Sequence, residues 1–101
     1  MKKNEPGQMD SLSSVIKVLH ERGYGIDYNT HQGKEDLLTN HEQYRIEKIY
    51  RFEGMTNPED EAILYSIVST EGIPKGILVN GYGISSDEMI NVIIEKILRY
   101  K

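Results

Sequence analysis

The sequence predicts an α+β two-layer sandwich: a mainly antiparallel sheet of four to five strands, with N- and C-terminal helices packed on one of its faces. Three observations predict it. The 101 residues include 13 Ile and 5 Val against a single Ala, and β-branched side chains suit a pleated surface better than an all-helical bundle. Amphipathic helical patterns stand near the two ends. Between them, alternating segments are joined by short turns, which favours an antiparallel meander. Ile, Leu, Val and Phe together number 26, above the ~20% range typical of disorder. The length suits one domain, residues 10–101, behind a polar tail at residues 1–9 that contains Pro6-Gly7.

The first helix is expected to start at Asp10 or Ser11, both good N-caps. Leu12, Val15, Ile16 and Leu19 then recur at the spacing of one buried helical face. Gly23 follows as C′, which puts Leu19 at C3 and Tyr24 at C″ of a Schellman ending. Tyr24, Ile26 and Tyr28 alternate with Gly25, Asp27 and Asn29 as a first strand. Asn29 to Lys34 reads as a turn with Gly33 at positive φ, and Glu35 to Thr39 as a weak second strand. Asn40 to Gln43 is polar and reads as a loop or a single helical turn.

Tyr44, Ile46, Tyr50 and Phe52 alternate with Arg45, Glu47, Arg51 and Glu53, the pattern of a strand with one apolar face. Lys48-Ile49 interrupts that pattern, and a β-bulge there is expected to restore it; a helix over 41–50 competes. After a connection at Gly54 to Glu61, Ala62 to Thr70 is apolar on both faces, as in a central strand. Glu71-Gly72-Ile73-Pro74 turns the chain into a strand at Gly76 to Tyr82. The last helix carries a capping box, Ser85 with Glu88, and a hydrophobic staple, Ile84 with Met89. Met89, Ile90, Val92, Ile93, Ile94, Ile97 and Leu98 form a stripe wide enough to face a sheet. The expected order is α-β-β-β-β-β-α, with the second sheet face partly exposed and bearing tyrosines.

Sixteen acids and twelve bases give a net charge of −4 with no strongly basic face, so no nucleic-acid partner is expected. There is no cysteine, which excludes disulfides, thiolate zinc sites and a thiol nucleophile. No apolar run reaches the ~20 residues of a membrane span, and no signal-peptide core follows Lys2-Lys3. A cytoplasmic protein is expected. His41-Glu42-Gln43-Tyr44-Arg45 has half of the H-E-x-x-H zinc pattern, but Arg45 stands where the second imidazole is needed. Glu59-Asp60-Glu61 lacks the spacing of a calcium loop and reads as a solvated connection. No metal, cofactor or catalytic set is expected. Gly81-Tyr82-Gly83 lies between a strand and a capped helix, where backbone amides can receive a phosphate, but the Lys-Ser/Thr of a P-loop is missing.

Tyr50-Arg51-Phe52-Glu53-Gly54-Met55, Asn57 to Tyr65, Lys75-Gly76 and Val79 to Gly83 resemble a family of short bacterial proteins. These are common in Bacteroidetes and often carry the label "phosphoribosylpyrophosphate synthetase". The resemblance covers about residues 44–90. An enzyme of that name resembles two α/β domains around ATP and ribose phosphate, which a chain of 101 residues cannot hold. A phosphoribosyl loop has two acids after a hydrophobic strand; here Asp60-Glu61 precede the strand. That order points away from the activity in the label.

The leading reading is a small non-enzymatic module that binds a protein or small molecule through a sheet face or edge. The alternative is a phosphate-, nucleotide- or phosphoribosyl-binding protein using the Gly81–Ser86 turn. A third reading is a homodimer formed through an edge strand such as Glu35–Thr39. The polar candidates for a ligand site are Arg51, Glu53, Asp60, Asn80 and Tyr82, all within the segment that carries the resemblance.

Overall fold

The computed structural model describes residues 12–52, 62–81 and 86–100. Their order is helix α1 (Leu12–Glu21), strand β1 (Ile26–Asp27), helix α2 (His31–Thr39), a 3-10 turn (His41–Gln43), strands β2 (Tyr44–Phe52), β3 (Ala62–Ser69) and β4 (Lys75–Gly81), and helix α3 (Glu88–Arg99). The fold is α+β. The strands form one mixed sheet in the order β1-β4-β3-β2; β2–β3 and β3–β4 are antiparallel and β1–β4 is parallel.

α1 ends as its sequence dictates. Gly23 takes φ +101, the Tyr24 amide donates to the Leu19 carbonyl at 2.9 Å, and the Gly23 amide donates to the His20 carbonyl at 3.1 Å. These are the two bonds of a Schellman motif. The start expected at Asp10 or Ser11 lies outside the described residues, as do the connection at Gly54–Glu61 and residues Ile84 and Ser85. At α3 the N-cap is Asp87, whose carboxylate accepts from the Met89 amide, so Glu88 is the first helical residue and not N3 of a capping box. The aspartate adjoining the helix reaches the free amides of the first turn directly.

The weak strand expected at Glu35–Thr39 is helical. Thr30 caps α2 by accepting from the Gly33 amide, and only Leu37 in that helix is fully buried. Gly33 does not have positive φ. It is glycine because a Cβ there would lie 2.7 Å from the Tyr28 Cα and 2.9 Å from its carbonyl oxygen. The first strand is also shorter than its alternation implied: Ile26 is exposed, while Tyr24 and Tyr28 pack into different clusters.

Helices cover both faces of the sheet, not one. Val15 and Leu19 of α1 pack with Tyr50, Phe52, Leu64 and Ile77. Leu37 of α2 and Ile90, Ile93, Ile94 and Ile97 of α3 pack with Tyr65, Ile67 and Leu78. Adjacent strand residues point to opposite faces, so a β3 that is apolar on both sides needs cover on both. The exposed tyrosine face is therefore absent among the described residues: Tyr50 and Tyr65 are buried on opposite sides and Tyr44 is half-buried. The stripe of α3 is also narrower than expected, since Val92 and Leu98 are exposed.

The bulge in β2 falls between Ile46 and Lys48, but it divides the apolar set and does not realign it. Tyr44 and Ile46 face α3, whereas Tyr50 and Phe52 face α1. One inserted residue changes which side every later side chain faces.

The β4 edge is closed by β1 and the residue pair that follows it. The Tyr28 amide donates to the Ile77 carbonyl. The Asn29 side chain then imitates another strand residue, donating to the Val79 carbonyl and accepting from the Val79 amide, each at 2.8 Å. Asn29→Ala leaves both half-buried backbone groups without these partners and should cost about 2 kcal/mol, measured by urea unfolding.

Candidate functional site

Of the five sequence-derived candidates, Arg51 and Asn80 are described; Glu53, Asp60 and Tyr82 lie outside the described residues. Arg51 on β2 and Asn80 on β4 are both register partners of Ile63 on β3. They stand in one row on the α3 side, two strand spacings or about 10 Å apart. Arg51 is exposed and Asn80 is buried.

Asn80 closes the junction between β4 and α3. Its Oδ1 accepts from the Gly81 and Asp87 amides, each at 2.8 Å, and its Nδ2 donates to Asn91 Oδ1. Asn91 donates in turn to Ser86 Oγ. Buried among these partners, Asn80 holds the chain between strand and helix; it does not present its amide to a ligand.

Asp87 extends this seam to α2. One carboxylate oxygen accepts from the Met89 amide and the other from Lys34 Nζ at 3.0 Å. The Lys34 bond, reinforced by the backbone amides of the first turn and opposed by partial burial, lowers the Asp87 pKa. A carboxyl group whose pKa is lowered by folding contributes stability above its unfolded pKa and loses it as pH falls through the folded value. Asp87→Asn should therefore flatten the stability–pH profile below about pH 4, read from urea titrations. The described end of the Gly81–Ser86 turn thus meets two acids, Asp87 and Glu88, at the N-terminus of α3, and Asp87 already occupies an amide that an anion would use.

A second polar group joins α2 to β2. Asp36 accepts from the Tyr44 hydroxyl and from Asn40 Nδ2. Burial, followed by the bond to Asp36, raises the Tyr44 pKa. The Tyr28 and Tyr44 rings meet edge to face at 5.7 Å. Tyr44 commits its hydroxyl to Asp36, and the buried Tyr28 hydroxyl has no hydrogen-bond partner among the described residues. Sequence reasoning missed Lys34, Asp36 and Asp87; the signal available was Asp87 beside the helix start.

The outer edge of β2 differs from the closed β4 edge. Nine residues long, β2 pairs only with β3 among the described strands. Arg45, Glu47, Lys48, Ile49 and Arg51 are exposed along it. This is the edge to consider for strand pairing, since Glu35–Thr39 is helical. Among the described residues there is no group of three or more His, Asp or Glu able to hold a metal, and no helix is long and apolar enough to cross a membrane.

Comparison with protein-family models, curated proteins and solved structures finds no match.

Proposed function

We propose that the protein is a non-enzymatic binding module that takes an extended polypeptide segment along the outer edge of β2. The asymmetry of the sheet's edges carries this reading. β1, Tyr28 and Asn29 occupy one edge, whereas the other is a nine-residue strand with a single partner among the described residues. Backbone groups on such an edge give affinity to an added strand, and the flanking side chains select it. Helices on both faces leave the edge, and not a sheet face, as the accessible part of the sheet. A cytoplasmic location, consistent with a chain without cysteine, belongs to the same proposal.

Photo-crosslinking in cells tests it. Ile49 on β2 and Val92 on α3 are similarly exposed, at 39% and 37%. A photoreactive residue at position 49 should yield defined protein adducts, and one at position 92 should not. Adducts from both or neither would overturn the reading. Amide shifts confined to residues 80–88 on titration with ribose 5-phosphate or ATP and Mg²⁺ would move the function to the Gly81–Ser86 turn.

A further inference from the structure

We infer that Asn80-Gly81 is a spontaneous deamidation site that the junction between β4 and α3 holds unreactive, so that opening of this junction converts Asn80 irreversibly to aspartate and isoaspartate.

The chain has six asparagines, and Asn80 alone precedes a glycine. Glycine has no Cβ, so the amide nitrogen after Asn80 is sterically open and the backbone around it turns freely once unfolded. That nitrogen, after losing its proton to solvent base, attacks the carbonyl carbon of the Asn80 side chain. The new C–N bond closes a succinimide, the Cγ–Nδ2 bond breaks, and Nδ2 leaves as ammonia with a proton taken from water. Water then opens the ring at either carbonyl, giving aspartate or isoaspartate. The reaction consumes water alone and changes no oxidation state.

The fold places the reacting groups side by side but in the wrong relation. The Val79 amide points to the β1 side of β4, where it donates to Asn29. Alternation along an extended strand puts the Gly81 amide on that side too. Among the described residues it meets no strand there and donates to Asn80 Oδ1 at 2.8 Å. The N–H is thus aimed at the side-chain oxygen, whereas attack needs the bare nitrogen to face the carbon. Two bonds to the start of α3 keep the side chain from turning: Oδ1 also accepts from the Asp87 amide and Nδ2 donates to Asn91 Oδ1, each at 2.8 Å. Burial of Asn80, 3% exposed, keeps out the base and water that the reaction needs. Reaction then proceeds only through molecules in which α3 has lifted from β4, at a rate set by their population.

Neither product fits the junction. Aspartate puts a carboxylate at a buried position beside Asp87. Isoaspartate adds a methylene to the backbone of β4, which moves Gly81 out of register with Ala62. A transient opening is thereby made permanent.

The full-length protein is incubated at mildly alkaline pH in buffer and in guanidinium chloride, and every asparagine is followed by peptide mass spectrometry. In guanidinium chloride Asn80 should be the first asparagine to react, giving aspartate and isoaspartate. In buffer its rate should be at least tenfold lower. Asn91→Ala, which removes the acceptor of Nδ2, should speed the reaction in buffer and leave the rate in guanidinium chloride unchanged. If that variant does not fold, the two arms on the wild-type protein still decide. Isoaspartyl chains returned to buffer should lack the cooperative thermal transition that unreacted chains regain. Equal rates in the two media, another asparagine reacting before Asn80 in guanidinium chloride, an unchanged rate in buffer for folded Asn91→Ala, or normal melting of isoaspartyl chains would overturn the inference.

Discussion

Ile93→Asp should abolish cooperative thermal unfolding. Ile93 is fully buried and packs in the cluster formed by α2, α3, Tyr65, Ile67 and Leu78. Truncating such a residue to alanine costs about 2–5 kcal/mol. Aspartate removes the same contacts and adds a charge that must be desolvated or protonated. The total stability of a domain this size is about 5–15 kcal/mol, so the loss reaches the lower end of the whole. Calorimetry should show no cooperative transition for Ile93→Asp and a clear but lower one for Ile93→Ala. Val92→Asp, one residue away and exposed, should melt within a few degrees of wild type. A similar melting temperature for Ile93→Asp would mean that α3 does not hold the sheet.

That contrast also shows what local patterning conveys. The stripe of α3, the glycine ending of α1 and the two-sided β3 are all periodic or positional signals over a few residues, and all three were legible. The consequence of β3 was in the same residues: apolar side chains on both of its faces require two covering layers. Placing both terminal helices on one face overlooked that requirement. α2 left little to read, because Leu37 and Leu38 are the only large aliphatics in its nine residues. Its helical state depends on the Thr30 cap and on Leu37 reaching the core. A bulge near Lys48-Ile49 was legible, and one falls between Ile46 and Lys48, but it does not restore a single apolar face, because the side that the later tyrosine and phenylalanine take depends on α1 lying across the sheet. Asn80 illustrates the limit for the site. Its chemistry suits a ligand, but its burial and its bonds to Asp87 and Asn91, seven and eleven residues on, depend on how α3 packs back against β4, which no spacing encodes.

Gly76→Ala should be the most damaging single-methyl addition among the described glycines. Gly76 is buried in β4 opposite Ile26, at the parallel pairing that seals the sheet edge. A Cβ there would overlap the Ile26 carbonyl oxygen and the Tyr28 ring. Neither can retreat easily. Ile26 is held by the β1 pairing, and Tyr28 is held by the hydrogen bond that its amide donates to the Ile77 carbonyl and by the backbone of Gly33 against its own. Two glycines thus accommodate one buried tyrosine, on its ring side and on its backbone side. Overpacking of this kind costs about 1–3 kcal/mol, and the loss of β1 pairing should bring Gly76→Ala to the upper end. A domain of this length loses about 4–8 °C per kcal/mol, so the melting temperature should fall by at least ~10 °C. Gly25→Ala is the control, since a Cβ there meets nothing within 4 Å and its φ is not positive. It should be neutral or slightly stabilising, because alanine restricts the unfolded chain. A Tyr28→Leu background separates the two overlaps. The part of the Gly76→Ala cost due to the ring should diminish there, while the part due to the Ile26 carbonyl remains. Full recovery would assign the cost to the ring alone, and no recovery would assign it to the backbone of β1. Equal melting of Gly76→Ala and Gly25→Ala would contradict the close packing of Tyr28 against β4.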